Sequence, residues 1–78
     1  MIPKIALPVI DSEVYYIGND TEYHKKGTIY RILGSDFHWW KELGYVIWVT
    51  TDEYPDANMI DLGMSFQPEE FYLYFRIY

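Results

Sequence analysis

Phe71-Tyr72-Leu73-Tyr74-Phe75-Arg76-Ile77-Tyr78 is the stretch on which the fold reading turns. Phe71, Leu73, Phe75 and Ile77 alternate with Tyr72, Tyr74, Arg76 and Tyr78. Side chains on a strand point to opposite faces with period two. The pattern therefore predicts a strand over 71–78, with the first set turned to a core. The second set leaves three Tyr and one Arg on an outer face. Both types are enriched at protein interfaces, because each joins a large apolar body to a polar tip. Tyr also suits strands for packing reasons alone.

Just upstream, Ser65-Phe66-Gln67-Pro68-Glu69-Glu70-Phe71 reads as a single helical turn leading into that strand. Proline is favoured at the first helical position, and acids after it suit the positive end of the helix dipole. Other short apolar runs are divided by turn residues, which is an all-β pattern. Val14–Ile17 is a first strand, ended by Gly18-Asn19-Asp20. Thr28–Leu33 is a second, between Gly27 and Gly34, and Tyr45–Thr51 a third, opened by Gly44. Met59–Phe66 holds a fourth after the turn at Tyr54-Pro55-Asp56. Lys4–Leu7 offers an edge strand restricted by Pro3 and Pro8. Asp36–Gly44 reads either as a two-turn helix capped by Asp36, or as a long hairpin loop carrying Phe37, Trp39 and Trp40. The expectation is one mainly all-β domain over 1–78, a small antiparallel barrel or strongly bent sheet of about five strands with one short helical turn. Its expected core is Tyr30, Ile32, Ile47, Phe71, Leu73 and Phe75.

A chain of 78 residues buries a limited fraction of its surface. Nine Tyr, four Phe and three Trp offset this, since aromatic side chains bury the most area each. With no Cys, disulfides and Cys-based zinc sites are excluded, and a reducing cytoplasm is a compatible location. The first residues lack the apolar core and cleavage site of a signal peptide, and no apolar stretch reaches membrane-spanning length.

The net charge of −6 is unevenly spread. Residues 1–41 hold five basic and five acidic side chains, and no Lys or Arg follows until Arg76. Glu42, Asp52, Glu53, Asp56, Asp61, Glu69 and Glu70 fall in that gap. Such a half repels a phosphate backbone. It reads either as a solubilising surface or as a patch for a basic partner.

His24-Lys25-Lys26-Gly27-Thr28-Ile29-Tyr30-Arg31-Ile32-Leu33-Gly34, followed by Val46-Ile47-Trp48 and Pro68-Glu69-Glu70-Phe71, resembles a family of short bacterial and phage proteins of unknown function. Those proteins look like small SH3-like barrels, with a His near Lys-Gly, an aromatic, a hydrophobic pair and Gly, and later Pro-Glu-x-Phe. The resemblance spans roughly residues 22–75 and implies a barrel fold and a non-catalytic role. The chain departs from the pattern at Gln67, where the family usually has Arg, and through an acidic segment at Asp52–Asp61.

Catalytic constellations are poor. Ser12, Ser35 and Ser65 sit in no nucleophile elbow, and the only His are His24 and His38. His24 is expected in a turn and His38 in a solvated loop. Two His without Cys make a weak zinc set, and Asp52-Glu53-x-x-Asp56 lacks EF-hand spacing. No catalytic residue, cofactor or metal is therefore expected. The strongest cluster is His38-Trp39-Trp40 beside Lys41. Trp is the most enriched hot-spot residue, although both Trp also suit packing over a barrel end.

The expected function is a non-catalytic protein-binding module for a partner with a basic surface. Its sharpest form is an inhibitor made by a phage or mobile element against a host nucleic-acid-handling enzyme. The expected contact residues are Trp39, Trp40, Asp52, Glu53, Asp56, Tyr72 and Tyr74. The alternative is a nucleic-acid-binding barrel using exposed Trp and Tyr with Lys25, Lys26, Arg31 and Lys41.

Overall fold

The computed structural model describes residues 9–78. The suggested edge strand at Lys4–Leu7 lies outside them. Five strands are present: β1 (Glu13–Tyr16), β2 (Ile29–Phe37), β3 (Tyr45–Val49), β4 (Met64–Phe66) and β5 (Phe75–Ile77). They form one antiparallel sheet in the order β4-β3-β2-β1-β5. One helix, α1 (Pro68–Tyr74), and two 3-10 turns, Lys41–Leu43 and Ile60–Leu62, complete the elements. The all-β class holds. The sheet does not close by main-chain pairing among the described residues, and β4 and β5 are its edges. Side chains span the gap instead, with the Phe66 and Phe75 rings edge to face at 5.3 Å.

β2 organises the sheet. Its first residues pair with β1 (Val14 opposite Tyr30), and the rest pair with β3. The register shifts between Ile32, opposite Val49, and Gly34, opposite Trp48. Leu33 is the extra residue of a bulge, which bends the strand and sharpens its twist. Ile32 thus enters one core while Leu33 enters another on the opposite face. β3 is buried on both sides: Ile47 and Val49 join the first core, Val46 and Trp48 the second.

The first core joins Val14, Tyr16, Tyr30 and Ile32 to Phe66, Phe71 and Phe75. The second is smaller. Leu33, Val46, Trp48 and Ala57 are buried there, with Leu43 and Ile60 partly so. Its cover is the segment between β3 and β4, which includes the acidic stretch at Asp52–Asp61. Gly63 seats that cover closely: an added Cβ would meet Leu33 Cδ1 at 2.5 Å and the Val49 carbonyl oxygen at 2.9 Å.

The strand expected over 71–78 is the main correction. Residues 68–74 are helical, and only Phe75–Ile77 is strand. Pro68 stands at the helix start with Glu69 and Glu70 in the first turn, so the expected single turn extends to Tyr74. Phe71 and Phe75 are four apart, which is one face of a strand and also about one helical turn. Both are therefore buried in either conformation. Leu73 separates the two: on a helix it lies about 200° around from Phe71. It is 66% exposed, so it leaves the expected core, while Tyr30, Ile32, Ile47, Phe71 and Phe75 stay in it. The fourth expected strand is also shorter, because Ile60–Leu62 turns before β4 begins.

Candidate functional site

The hairpin between β2 and β3 carries the aromatic cluster. Asp36–Gly44 is not a two-turn helix: β2 runs through Phe37, and only Lys41–Leu43 turns as 3-10. Gly44 ends that turn at φ 67, a left-handed conformation that glycine adopts without strain. Its N–H donates to the Lys41 carbonyl, and its own carbonyl accepts from His38 N–H at 2.8 Å. The Trp40 N–H donates to His38 Nδ1 at 3.0 Å.

The loop is thereby held with its rings stacked. The imidazole of His38 lies nearly parallel to the Trp48 indole at 5.9 Å, and Trp39 is stacked on Trp48 at 6.0 Å. Trp48 is buried, yet Trp39 is 64% exposed and Trp40 63%. Both Trp face solvent rather than packing over an end of the sheet. Trp39 is nevertheless packed on one side, with the half-buried His38 ring at 4.0 Å and the buried Trp48 ring at 6.0 Å.

Trp48 shares the second core with Ala57, so the acidic segment lies on the same face of the sheet as Trp39. That segment is tied down at several points. The Arg31 N–H donates to Thr50 Oγ1 at 2.9 Å, and the Asp52 N–H donates to the Tyr23 carbonyl at 2.9 Å. The Arg31 guanidinium donates to the Ala57 carbonyl and pairs with Asp11 at 3.2 Å. Among the described residues this is the one ion pair, so Glu53 and Asp56 are exposed acids without a cation. Asp52 is different: its Oδ1 accepts the Tyr30 hydroxyl at 2.8 Å and works partly as a structural acceptor.

Tyr72 and Tyr74 do not join this face. The outer strand face expected for them does not exist, because both lie on α1. Tyr72 is half-buried against the first core, with its ring on Phe71 at 5.0 Å. The Tyr74 ring is 6.2 Å from Tyr16, also in that core. The structure thus puts Trp39 and the segment bearing Asp52, Glu53 and Asp56 on one face, with Trp40 next to Trp39 in the hairpin, and leaves Tyr72 and Tyr74 apart.

His24 is the second correction. It is not a surface turn residue but is 2% exposed in the first core. Its ring meets Tyr30 edge to face at 4.7 Å and Phe75 at 5.4 Å. Nε2 bonds the Thr50 carbonyl at 3.0 Å. Burial pushes its pKa below the ordinary 6.5, so the ring is neutral and donates through Nε2. The Tyr30 hydroxyl accepts from the Lys25 N–H at 2.7 Å while donating to Asp52. Burial, reinforced by Asp52, pushes its pKa up to about 12. This pair clasps the β1–β2 loop to the end of β3. With both rings committed to fixed partners, the arrangement is built to hold the fold. Among the described residues, no three of His, Cys, Asp and Glu converge as a metal site would require.

No family model, curated protein or solved structure matches the chain. The class defined by fold and site is a small all-β domain with a two-sided sheet. One of its faces carries exposed Trp39, stacked on buried Trp48, with Trp40 next to it in the same hairpin.

An element missed by sequence reading lies beside that loop. Tyr23, Glu53, Tyr54, Asp61, Leu62 and Met64 line an open groove of about 340 Å³. The signal was the interleaving of acids with apolar residues in Asp52-Glu53-Tyr54 and Asp61-Leu62-Gly63-Met64. Tyr23 joins them through a tertiary contact, the bond from Asp52 N–H to its carbonyl.

Proposed function

We propose that the chain is a non-catalytic protein-binding module that takes a partner with a basic surface on the tryptophan-bearing face of its sheet. One observation carries the reading: Trp39 and Trp40 are both largely exposed, while Trp39 is stacked on buried Trp48. An anchor already held in place loses little conformational freedom on binding, which favours it as a hot spot. The exposed acids on the same segment would speed encounter with a basic partner. In its sharpest form the module is an inhibitor, made by a phage or mobile element, that occupies the basic groove of a host nucleic-acid-handling enzyme. The net charge of −6 supports that direction.

Direct nucleic-acid binding is the weaker reading. Of the cations it would use, Arg31 is engaged by Asp11 and the Ala57 carbonyl, and Lys25 Nζ donates to the Thr21 carbonyl.

The test is capture from host lysate by the immobilised chain, with and without nuclease. A stoichiometric protein should survive nuclease treatment. It should be lost with a Trp39→Ala/Trp40→Ala double variant whose circular dichroism matches the parent. Recovery of nucleic acid alone, or equal capture by that variant, overturns the reading.

A further inference from the structure

The groove beside the acidic loop has a composition that the tryptophan pair does not explain. Tyr23, Tyr54, Leu62 and Met64 are all exposed and all line it. Single exposed apolar residues are ordinary, but a contiguous set marks a contact site. Glu53 and Asp61 line the same groove, and no Lys or Arg does. Neither acid has an ion-pair partner among the described residues. Its walls are also set in advance. Asp52 N–H holds the Tyr23 segment, Tyr54 N–H donates to Thr51 Oγ1 at 3.4 Å, and Gly63 seats the far wall against Leu33 and Val49.

Those walls select by chemistry. An anion is repelled by two carboxylates with no compensating cation. A neutral apolar group would strip water from those carboxylates without replacing it. A cation on an aliphatic stem satisfies both demands. Of the two such side chains, arginine fits better: its planar guanidinium stacks on aromatic faces, bridges carboxylates and sheds water more readily than an ammonium.

We infer that this groove receives an arginine side chain presented by a basic segment of the partner protein. Its stem would lie on Leu62 and Met64, and its guanidinium between Glu53 and Asp61 against a tyrosine ring. The inference rests on the reading of the chain as a protein-binding module and supplies that reading with a second contact.

The test titrates the intact, isotopically labelled chain with acetyl-Gly-Arg-Gly-Arg-Gly-amide, followed by NMR. Saturable shifts are expected at the Tyr23 and Tyr54 rings and the Met64 methyl. Replacing Arg by neutral, near-isosteric citrulline should weaken binding about tenfold, as should the Glu53→Gln/Asp61→Asn variant. Replacing Arg by Lys should weaken it about threefold. Shifts absent from these residues, or citrulline or lysine peptides binding as well as arginine, overturn the assignment. The two readings fail separately. Loss of peptide binding with nuclease-resistant capture retained sinks the groove alone. Retained peptide binding with no protein captured sinks the module reading alone.

Discussion

β3 divides the molecule into two unlike faces. On one side, Phe66, Phe71, Phe75, Tyr16, Tyr30 and the His24 ring pack edge to face and stacked, with almost nothing of them exposed. On the other, Leu33, Val46, Trp48 and Ala57 anchor a loop, and Trp39 rests on Trp48 with most of its surface in water. The first face spends its aromatic rings on stability. The second buries just enough to fix a loop and leaves its largest rings available. Substitutions on the first should therefore be felt in unfolding, and substitutions at the tip of the second in binding.

The strongest way to break this division is to truncate the ring at the centre of the first face. Phe75 is fully buried and contacts the rings of Tyr16, His24, Phe66 and Phe71. Phe75→Ala should cost about 3–5 kcal/mol, comparable to the whole stability of so small a domain. Urea denaturation checks it. A cooperative transition weakened by less than about 1 kcal/mol would show that the first face does not carry the fold.

The second face has its own structural point, where Gly63 meets Leu33 and Val49. Gly63→Ala must lift the loop or shift Leu33, because 2.5 Å and 2.9 Å contacts cannot stand. The expected cost is about 1–3 kcal/mol, with a change in the near-ultraviolet signal of Trp48. If stability and spectrum are both unchanged, the loop is not seated as described, and the groove beside it loses its rigid wall.

Why some of this was legible in the residues, and some not, follows from what each signal measures. Turn-bounded apolar runs depend on local chemistry, and they located β1, β2 and β3 within a few residues. Phe71 and Phe75 were assigned to the core correctly for an incomplete reason, since a spacing of four satisfies strand and helix alike. Leu73 decided between them, and the period-two alternation of a strand placed it inward. The Pro68-Glu69-Glu70 start pointed to the helix, but nothing nearby marked its end. The burial of His24 depends on Tyr30, Phe75 and Thr50 converging from distant segments, which no local pattern encodes. The exposure of both hairpin Trp was hidden for the same reason: the second core is filled by Trp48 from β3 and Ala57 from the following loop, and no local pattern shows this.

Between the large truncations and the small ones lies pH. His24 has its pKa lowered by burial, against the pull of the Thr50 carbonyl and Asp52 and with a smaller push from Lys25. The unfolded chain therefore takes up a proton near the ordinary 6.5 that the folded chain resists. Stability should fall as pH drops below that value, until the folded histidine also titrates. Tyr30 acts at the other end. Its pKa rises from 10.0 to about 12, so the unfolded chain ionises first and stability falls as pH climbs through that window. A plateau from roughly neutral to about one unit below 10.0 is expected, read as urea midpoints across pH. His24→Gln, if folded, should flatten the first step below neutrality. An unchanged slope there would assign it to other groups.

The smallest expected effect separates the two readings of residues 71–78. If that segment were a strand, Leu73 would lie in the core beside Phe71 and Phe75, and Leu73→Ala would cost about 2–5 kcal/mol. On α1 it faces water, and alanine is the better helix former. The substitution should then change stability by less than about 0.5 kcal/mol, in either direction. It removes the same atoms from the same position under both readings, so only the backbone conformation decides the outcome. Paired with Phe75→Ala, it asks whether the first face is sealed by the tip of a helix and the strand that follows it. A large loss at Leu73 would return the segment to a strand and bring Tyr72 and Tyr74 back as an outer binding face. A negligible one keeps residues 68–74 helical and leaves the outer strand face without support.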